Sequence, residues 1–373
     1  MVVAVLSSIL IILIAGVAPR RMPSLVRSGT CAILVVLIWL IVLHFTTPLE
    51  LSYPDAASAR VAKFAHERLK EEEQSLGQYV LVIEGSSPTS RAVDGDLLQT
   101  ELRAAGISAS VIQIALDGSN HLERLQILRQ FVQGLDAKEV EQLKRSRVFL
   151  CREIEYYYDR DPFNKLEGNF FTDVALSYLN ARNLPDIVHW FALSSGWNGL
   201  VRKRELVGSI AAMELFNLFR VGYFARVAKG GSLPPQNGFV PKETRSADFN
   251  PQGPLPLAFP KEPSKDDLKI YASIAGWVSA RDREYAKLFA KIGGTEWFFS
   301  VTSWYPTMYR YNFWLADNSK KRPFFNGDTE PLRQKLADPD LWADEIHLRP
   351  AGARIFTQVF ANYWIDAIKN HRL

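Results

Sequence analysis

The chain has 373 residues, 47% of them hydrophobic, and its 44 Lys and Arg against 40 Asp and Glu leave a formal charge of +4. That is enough apolar material for a large core in one generous domain with an insertion, and so small a charge, with no basic stripe interleaved with aromatics, gives no footing to nucleic-acid binding. Two cysteines, Cys31 and Cys151, and six singly scattered histidines supply neither a disulfide framework nor a metal-ligand spacing, and no cofactor is implied.

The first fifty residues differ most from the rest. Met1–Pro19 is apolar apart from two serines, and a second apolar run covers about 29–47, centred on Cys31–Phe45. Each is near the 17–25 residues, roughly, that a helix needs to cross a bilayer. Arg20, Arg21 and Arg27 lie between them, and short Arg-rich loops stay in the cytoplasm. The pattern predicts a membrane anchor over residues 1–50, a hairpin of two transmembrane segments that delivers residues 51–373 to the extracytoplasmic side of the cell membrane. A cleaved signal peptide is the rival for the first segment, which lacks a basic residue before its apolar run.

Beyond the anchor the pattern predicts a helix over about 55–76, a strand over 79–84, a helix over 94–104, a strand over 107–115, a helix over 121–135 and a strand over 147–153. Such alternation specifies an α/β fold with a mainly parallel sheet covered on both faces, whose ligand sites lie beyond the carboxyl ends of the strands. Residues 165–228 interrupt it with helical patterns rich in Phe, Leu and Trp. The stretch Leu206–Val227 suits either a core helix or a surface that meets the bilayer, with Arg202, Lys203 and Arg204 at its start suited to lipid head groups. Gly230–Pro263 has no period and is long enough for a mobile lid or a lasso around the domain, so the insertion spans about 160–263. A helix over Lys265–Ile292, a strand over Glu296–Thr302 and a last helix from Arg349 to about Asn370 complete the chain.

Two motifs carry chemistry. The first strand runs Val80-Leu81-Val82-Ile83-Glu84 into Gly85-Ser86-Ser87, a tight turn that can present a hydroxyl. Asp344-Glu345-Ile346-His347 stands just before the last helix, its carboxylate and imidazole three residues apart. A serine needs a base to take its proton, and the imidazole needs an acceptor on its other nitrogen to fix the tautomer. Gly85 is expected to permit a sharp backbone bend.

In these blocks and their order the chain resembles the SGNH (GDSL-like) hydrolase superfamily, over most of residues 78–160 and 293–370. Gly85-Ser86-Ser87 stands where that family has Gly-Asp-Ser, so the resemblance implies Ser87 as nucleophile, and Asp344 with His347, followed by Pro350 and Gly352, matches the family's Asp-x-x-His block. The Gly-Ser-Ser variant with an anchor is similar to the membrane-anchored branch containing DltD and the alginate O-acetylation proteins. The implied fold is an SGNH-like three-layer sandwich with a helical insertion and N-terminal transmembrane helices. Gly118, after the second strand, would join the Ser87 N–H in the oxyanion hole. The family's Gly-x-Asn block is missing after the third strand, where Glu153-Ile154-Glu155-Tyr156 stands instead; Gly196-Trp197-Asn198 comes too late, and Asn120 or Asn169 could supply the amide. Tyr156, Trp304 and Tyr305 are candidate aromatic walls for a sugar.

The resemblance implies a membrane-anchored extracytoplasmic (periplasmic) O-acyltransferase or esterase acting on a surface polysaccharide, with the bilayer and a membrane-bound O-acyltransferase as partners. The alternative is an inert scaffold of the same fold that binds a glycan or such a transferase.

Overall fold

A computed structural model describes residues 57–72, 76–117, 119, 121–154, 239–240, 242–247, 249, 251, 255, 265, 282–304, 323–370 and 372. Both apolar N-terminal segments, most of the insertion, Gly118, Tyr156 and Tyr305 lie outside the described residues. Among the described residues no helix is long and apolar enough to cross a membrane.

The described elements are α1 (Ala57–Glu71), β1 (Tyr79–Glu84), α2 (Ser87–Ala92), α3 (Gly95–Ala104), β2 (Ala109–Gln113), α4 (His121–Gly134), α5 (Ala137–Arg145), β3 (Arg147–Glu153), α6 (282–290), β4 (Gly294–Phe299), β5 (Phe324–Phe325), α7 (Glu330–Lys335) and α8 (Pro350–Lys369). The strands form one sheet in the order β2-β1-β3-β4-β5, every neighbouring pair parallel. The chain therefore has an α/β fold.

Parallel strands buried on both faces read as continuous apolar runs rather than as alternation. All six residues of β1 are buried. Leu81 and Ile83 share a core cluster with Leu98 and Leu102 of α3 and with Phe356, Phe360 and Trp364 of α8. Val80 and Val82 point the other way and are equally inaccessible, as are Leu125, Leu128 and Phe131 of α4. Phe356, Phe360 and Trp364 recur every four residues, and that spacing lays one stripe of α8 along the sheet. Phe360 stacks on Phe325 and Phe299, and Trp364 on Trp297, with centroids 4.8, 5.3 and 4.7 Å apart. Each such buried ring contributes about 2 kcal/mol.

Glu84, the last residue of β1, is 0% exposed and belongs to a buried ionic network directly beneath the Gly-Ser-Ser turn. Arg124 of α4 donates to it twice, at 2.5 and 2.8 Å, and the Tyr285 hydroxyl of α6 donates at 3.1 Å. Arg152 of β3 lies over the Tyr285 ring, 3.7 Å from its centroid, and donates to Glu296 at 2.9 Å and Asp282 at 3.3 Å. Burial works to raise the Glu84 pKa, but the charge and hydrogen bonds of Arg124, the Arg152 charge and the Tyr285 hydroxyl together outweigh it, and the carboxyl stays ionised below its ordinary range.

Arg124→Met should strand that carboxylate and cost about 3–5 kcal/mol. The deficit is read by urea unfolding at pH 7 and should shrink as the pH falls through the carboxylate range, because a Glu84 left with only the Tyr285 hydroxyl and the more distant Arg152 charge is relieved by taking up a proton. A deficit that stays constant with pH would assign the loss to packing alone.

Candidate functional site

β1 ends at Glu84, and α2 begins at Ser87. The short helix was not foreseen, since six residues hold no readable period. Pro88 suits its first turn, where a missing N–H costs nothing. Ser86 is the N-cap, but its side chain makes no capping bond. It donates instead to both oxygens of Glu153, at 3.2 and 3.1 Å, while its N–H donates to Oε2 at 2.7 Å. The Thr89 hydroxyl donates to the same Oε2 at 2.7 Å. Glu153 ends β3 next to β1 and is 1% exposed, so one buried carboxylate clamps the whole turn.

That clamp explains Gly85. Among the described glycines only Gly106 and Gly293 take positive φ, so Gly85 is not there for a special backbone conformation. A Cβ on it would collide with Thr89 and come within 2.5 Å of Glu153 Oε2. The glycine lets the carboxylate and the helix approach the turn.

The two serines differ in what holds them. Ser86 is 8% exposed and committed to Glu153. Ser87 is half-buried and its hydroxyl takes no partner among the described residues. The Ser87 carbonyl accepts from Ser90 Oγ at 3.1 Å, and Ser90 also donates to Asp117, which pairs with Arg91, in the loop that leaves β2. That loop returns to the turn through Leu116 N–H to Gly85 O at 3.1 Å.

Asp344 and His347 meet as the spacing requires. Nδ1 of His347 is 2.8 Å from Oδ2 of Asp344 and 2.8 Å from Oδ1. Oδ1 accepts the N–H of Ile346 at 3.1 Å and of His347 at 3.0 Å, and Oδ2 accepts from Lys242 Nζ at 2.5 Å. Burial acts to raise the Asp344 pKa, but the bonds from His347 and Lys242 dominate and hold it far below the usual carboxylate range. Asp344 does not cap α8: the N-cap is Arg349, with no side-chain bond.

The other imidazole nitrogen, Nε2, is buried and has no hydrogen-bond partner among the described residues. One ring nitrogen thus lies against the Asp344 carboxylate, and the other makes no hydrogen bond among these residues. A Ser87 Oγ to His347 Nε2 bond is not formed in this structure.

The base loop is braced from below. Ala343 N–H donates to His347 O at 2.8 Å, Trp304 N–H to Glu345 O at 2.7 Å, and Ser303 Oγ to the same carbonyl at 3.2 Å. Trp304, expected as an exposed wall for a sugar, is 2% exposed and packs edge-on against Trp342 and Phe249. Its ring supports the loop and has no face left for a ligand. Residues 301–304 follow β4, so the base loop and the Ser87 turn both lie beyond the carboxyl edge of the sheet, where parallel sheets hold their sites. Residues 239–240 and 242–247 lie at that edge: Val240 N–H donates to Ser90 O at 2.8 Å and Ser246 N–H to Ala343 O at 2.7 Å.

Glu153 and Lys242 were not singled out from the sequence. For Glu153 the signal was present, a carboxylate at a strand end in place of the expected Gly-x-Asn; for Lys242, in an aperiodic Pro/Gly-rich stretch, there was none. Among the described residues no cluster of His, Cys, Asp and Glu could hold a metal ion. Comparison of the chain with family models, with curated proteins and with solved structures finds no match in any of the three.

Proposed function

We propose that the chain is a membrane-anchored, extracytoplasmic SGNH-type enzyme, built as a three-layer sandwich, that transfers or removes O-acyl groups, acetyl above all, on a cell-surface or secreted polysaccharide. The observation that carries this reading is His347, with Nδ1 on an ionised carboxylate and Nε2 buried and unpartnered among the described residues, at the same sheet edge as a half-buried serine whose hydroxyl has no partner among them.

Ser87 Oγ attacks the acyl carbonyl as His347 Nε2 takes its proton, and Asp344 holds the Nδ1–H and stabilises the imidazolium. Catalytic hydrogen bonds are often loose before substrate binds, so the Ser87–His347 bond closes in the complex. The Ser87 N–H, with Gly118 as second donor, holds the developing oxyanion. His347 then returns the proton to the leaving oxygen. If a sugar hydroxyl attacks the acyl-enzyme the outcome is transfer; if water does, it is hydrolysis. The predicted anchor favours transfer at the cell membrane, with a membrane-bound O-acyltransferase supplying the acyl group.

Glu153 favours a second reading. Its carboxyl oxygens accept from the Ser86 N–H and the Ser86 and Thr89 hydroxyls, so it does not replace the amide donor of the missing Gly-x-Asn block, and an inert scaffold that binds a glycan or a membrane acyltransferase would need no such donor.

The two readings separate on incubation of the full chain, in detergent, with an activated acetyl ester and a polysaccharide. An enzyme should release the leaving group with a burst and, by mass spectrometry, carry an acetyl group on Ser87. Neither burst nor adduct, with glycan binding intact, would leave the scaffold.

A further inference from the structure

Oδ2 of Asp344 faces two donors from distant parts of the chain: Nδ1 of His347 at 2.8 Å and Nζ of Lys242 at 2.5 Å. The lysine side chain is 30% exposed and the aspartate 15%, so the contact is partly sheltered from solvent. Lys242 reaches Asp344 from a segment fastened along its length. Besides the bonds of Val240 to Ser90 and Ser246 to Ala343, the Glu243 carbonyl accepts from Arg349 Nε at 3.0 Å, and Arg245 lies 3.4 Å from Asp340 with its guanidinium 5.0 Å from the Phe249 centroid.

Holding the imidazole tautomer does not require this lysine, because Asp344 is already aimed by two backbone N–H groups. What Lys242 adds is a charge and a tether. A carboxylate shared with an ammonium stabilises an adjacent imidazolium less than one that serves the imidazole alone. The same side chain joins the segment bonded to α2, which starts at Ser87, to the loop that carries His347.

We propose that Lys242 is a positioning residue for the Asp344–His347 pair, its ammonium taking the outer side of Oδ2 and so dividing the carboxylate's charge between imidazole and lysine, a role that rests on reading these two residues as orienter and base. Without the ammonium the whole charge falls on the imidazole, which then keeps its proton to higher pH and is less often available as a base. Among the described residues the other charged groups on the segment and the base loop are Glu243, Arg245, Asp340, Glu345 and Arg349, and Arg91 of α2 pairs with Asp117 of the loop after β2. Arg245 lies against Asp340, and Arg91 against Asp117, so replacing Lys242 leaves both pairs in place.

The test is an imidazole titration of the full chain in detergent micelles by ¹⁵N NMR, with the His347 resonance assigned by its loss in His347→Gln. Lys242→Met and Lys242→Gln should each raise the His347 midpoint by about one pH unit, and Lys242→Arg, which restores a cation, should return it near the parent value. Two uncharged variants are made so that one which fails to fold, by its thermal melt, leaves the other to decide. A midpoint unmoved in the folded uncharged variant, or one as far displaced in Lys242→Arg, overturns the role. The titration is read whether or not the chain turns over esters. A shifted midpoint in a chain that never acylates would sink the enzymatic reading alone, and an unshifted one in an active enzyme would sink the lysine's role alone.

Discussion

Ser87→Ala should reduce turnover of an acetyl ester by a factor on the order of 10⁴ or more, to the level that binding and oxyanion donors sustain without a nucleophile. Labelling by a fluorophosphonate should fall to background in the same variant. Ser86→Ala is the matched control, and it should behave differently because of Glu153. Its Oγ lies 3.1 and 3.2 Å from that carboxylate, while the shorter bond, from the Ser86 N–H at 2.7 Å, survives the substitution. Thr89 also stays on Oε2 at 2.7 Å. The expected cost is about 1–2 kcal/mol of stability with turnover kept within about tenfold. The reverse pattern, with Ser86→Ala inactive and Ser87→Ala active, would make Glu153 the base and Ser86 the nucleophile and detach His347 from the chemistry.

How much of this was legible from the residues depends on what kind of signal each part carries. β1 and β3 were placed to the residue, since an unbroken apolar run between turn signals is what a two-faced buried strand requires. α8 was placed within a residue at each end because Pro350 and a four-residue aromatic repeat mark it. β2 is shorter than expected, 109–113, since Ile107 and Ser108 still belong to the turn after Gly106 at φ 80. β4 begins two residues early, at Gly294, and leaves the sheet after Phe299 to brace the base loop. α2, α5 and α7 are too short to show a period: α5 is closed by a full capping box of Asp136 with Glu139, whereas α2 and α7 have no side-chain cap and carry only a proline, Pro88 and Pro331, in the first turn. The Asp344–His347 pair was legible because it is local in sequence. Glu153 and Lys242 act across 67 and 102 residues, and no local pattern announces a partner at that distance.

Asp344→Asn is the sharper test of the base. An asparagine at this position keeps one oxygen, which can still accept from Ile346 and His347 N–H as Oδ1 does at 3.1 and 3.0 Å, so the loop retains its internal brace. Its amide nitrogen then takes the place of Oδ2, facing Nδ1 and the Lys242 ammonium with donors where an acceptor stood. His347 is driven to the tautomer with Nδ1 bare and the proton on Nε2, the nitrogen that must receive the serine proton. Turnover should fall by a factor on the order of 10⁴, the loss that a wrong tautomer causes in a serine-protease triad. Stability should fall too at neutral pH, because a carboxylate whose pKa is depressed in the folded chain stabilises it above the ordinary carboxylate range and loses that contribution only as the pH drops toward the depressed value. The melting-temperature gap between parent and variant should therefore be widest near pH 7 and close on acidification, while the loss of turnover persists wherever the variant is folded. Asp344→Asn that melts early yet turns over normally would reduce the carboxylate to a brace for its loop, and His347 would then need another acceptor to serve as the base.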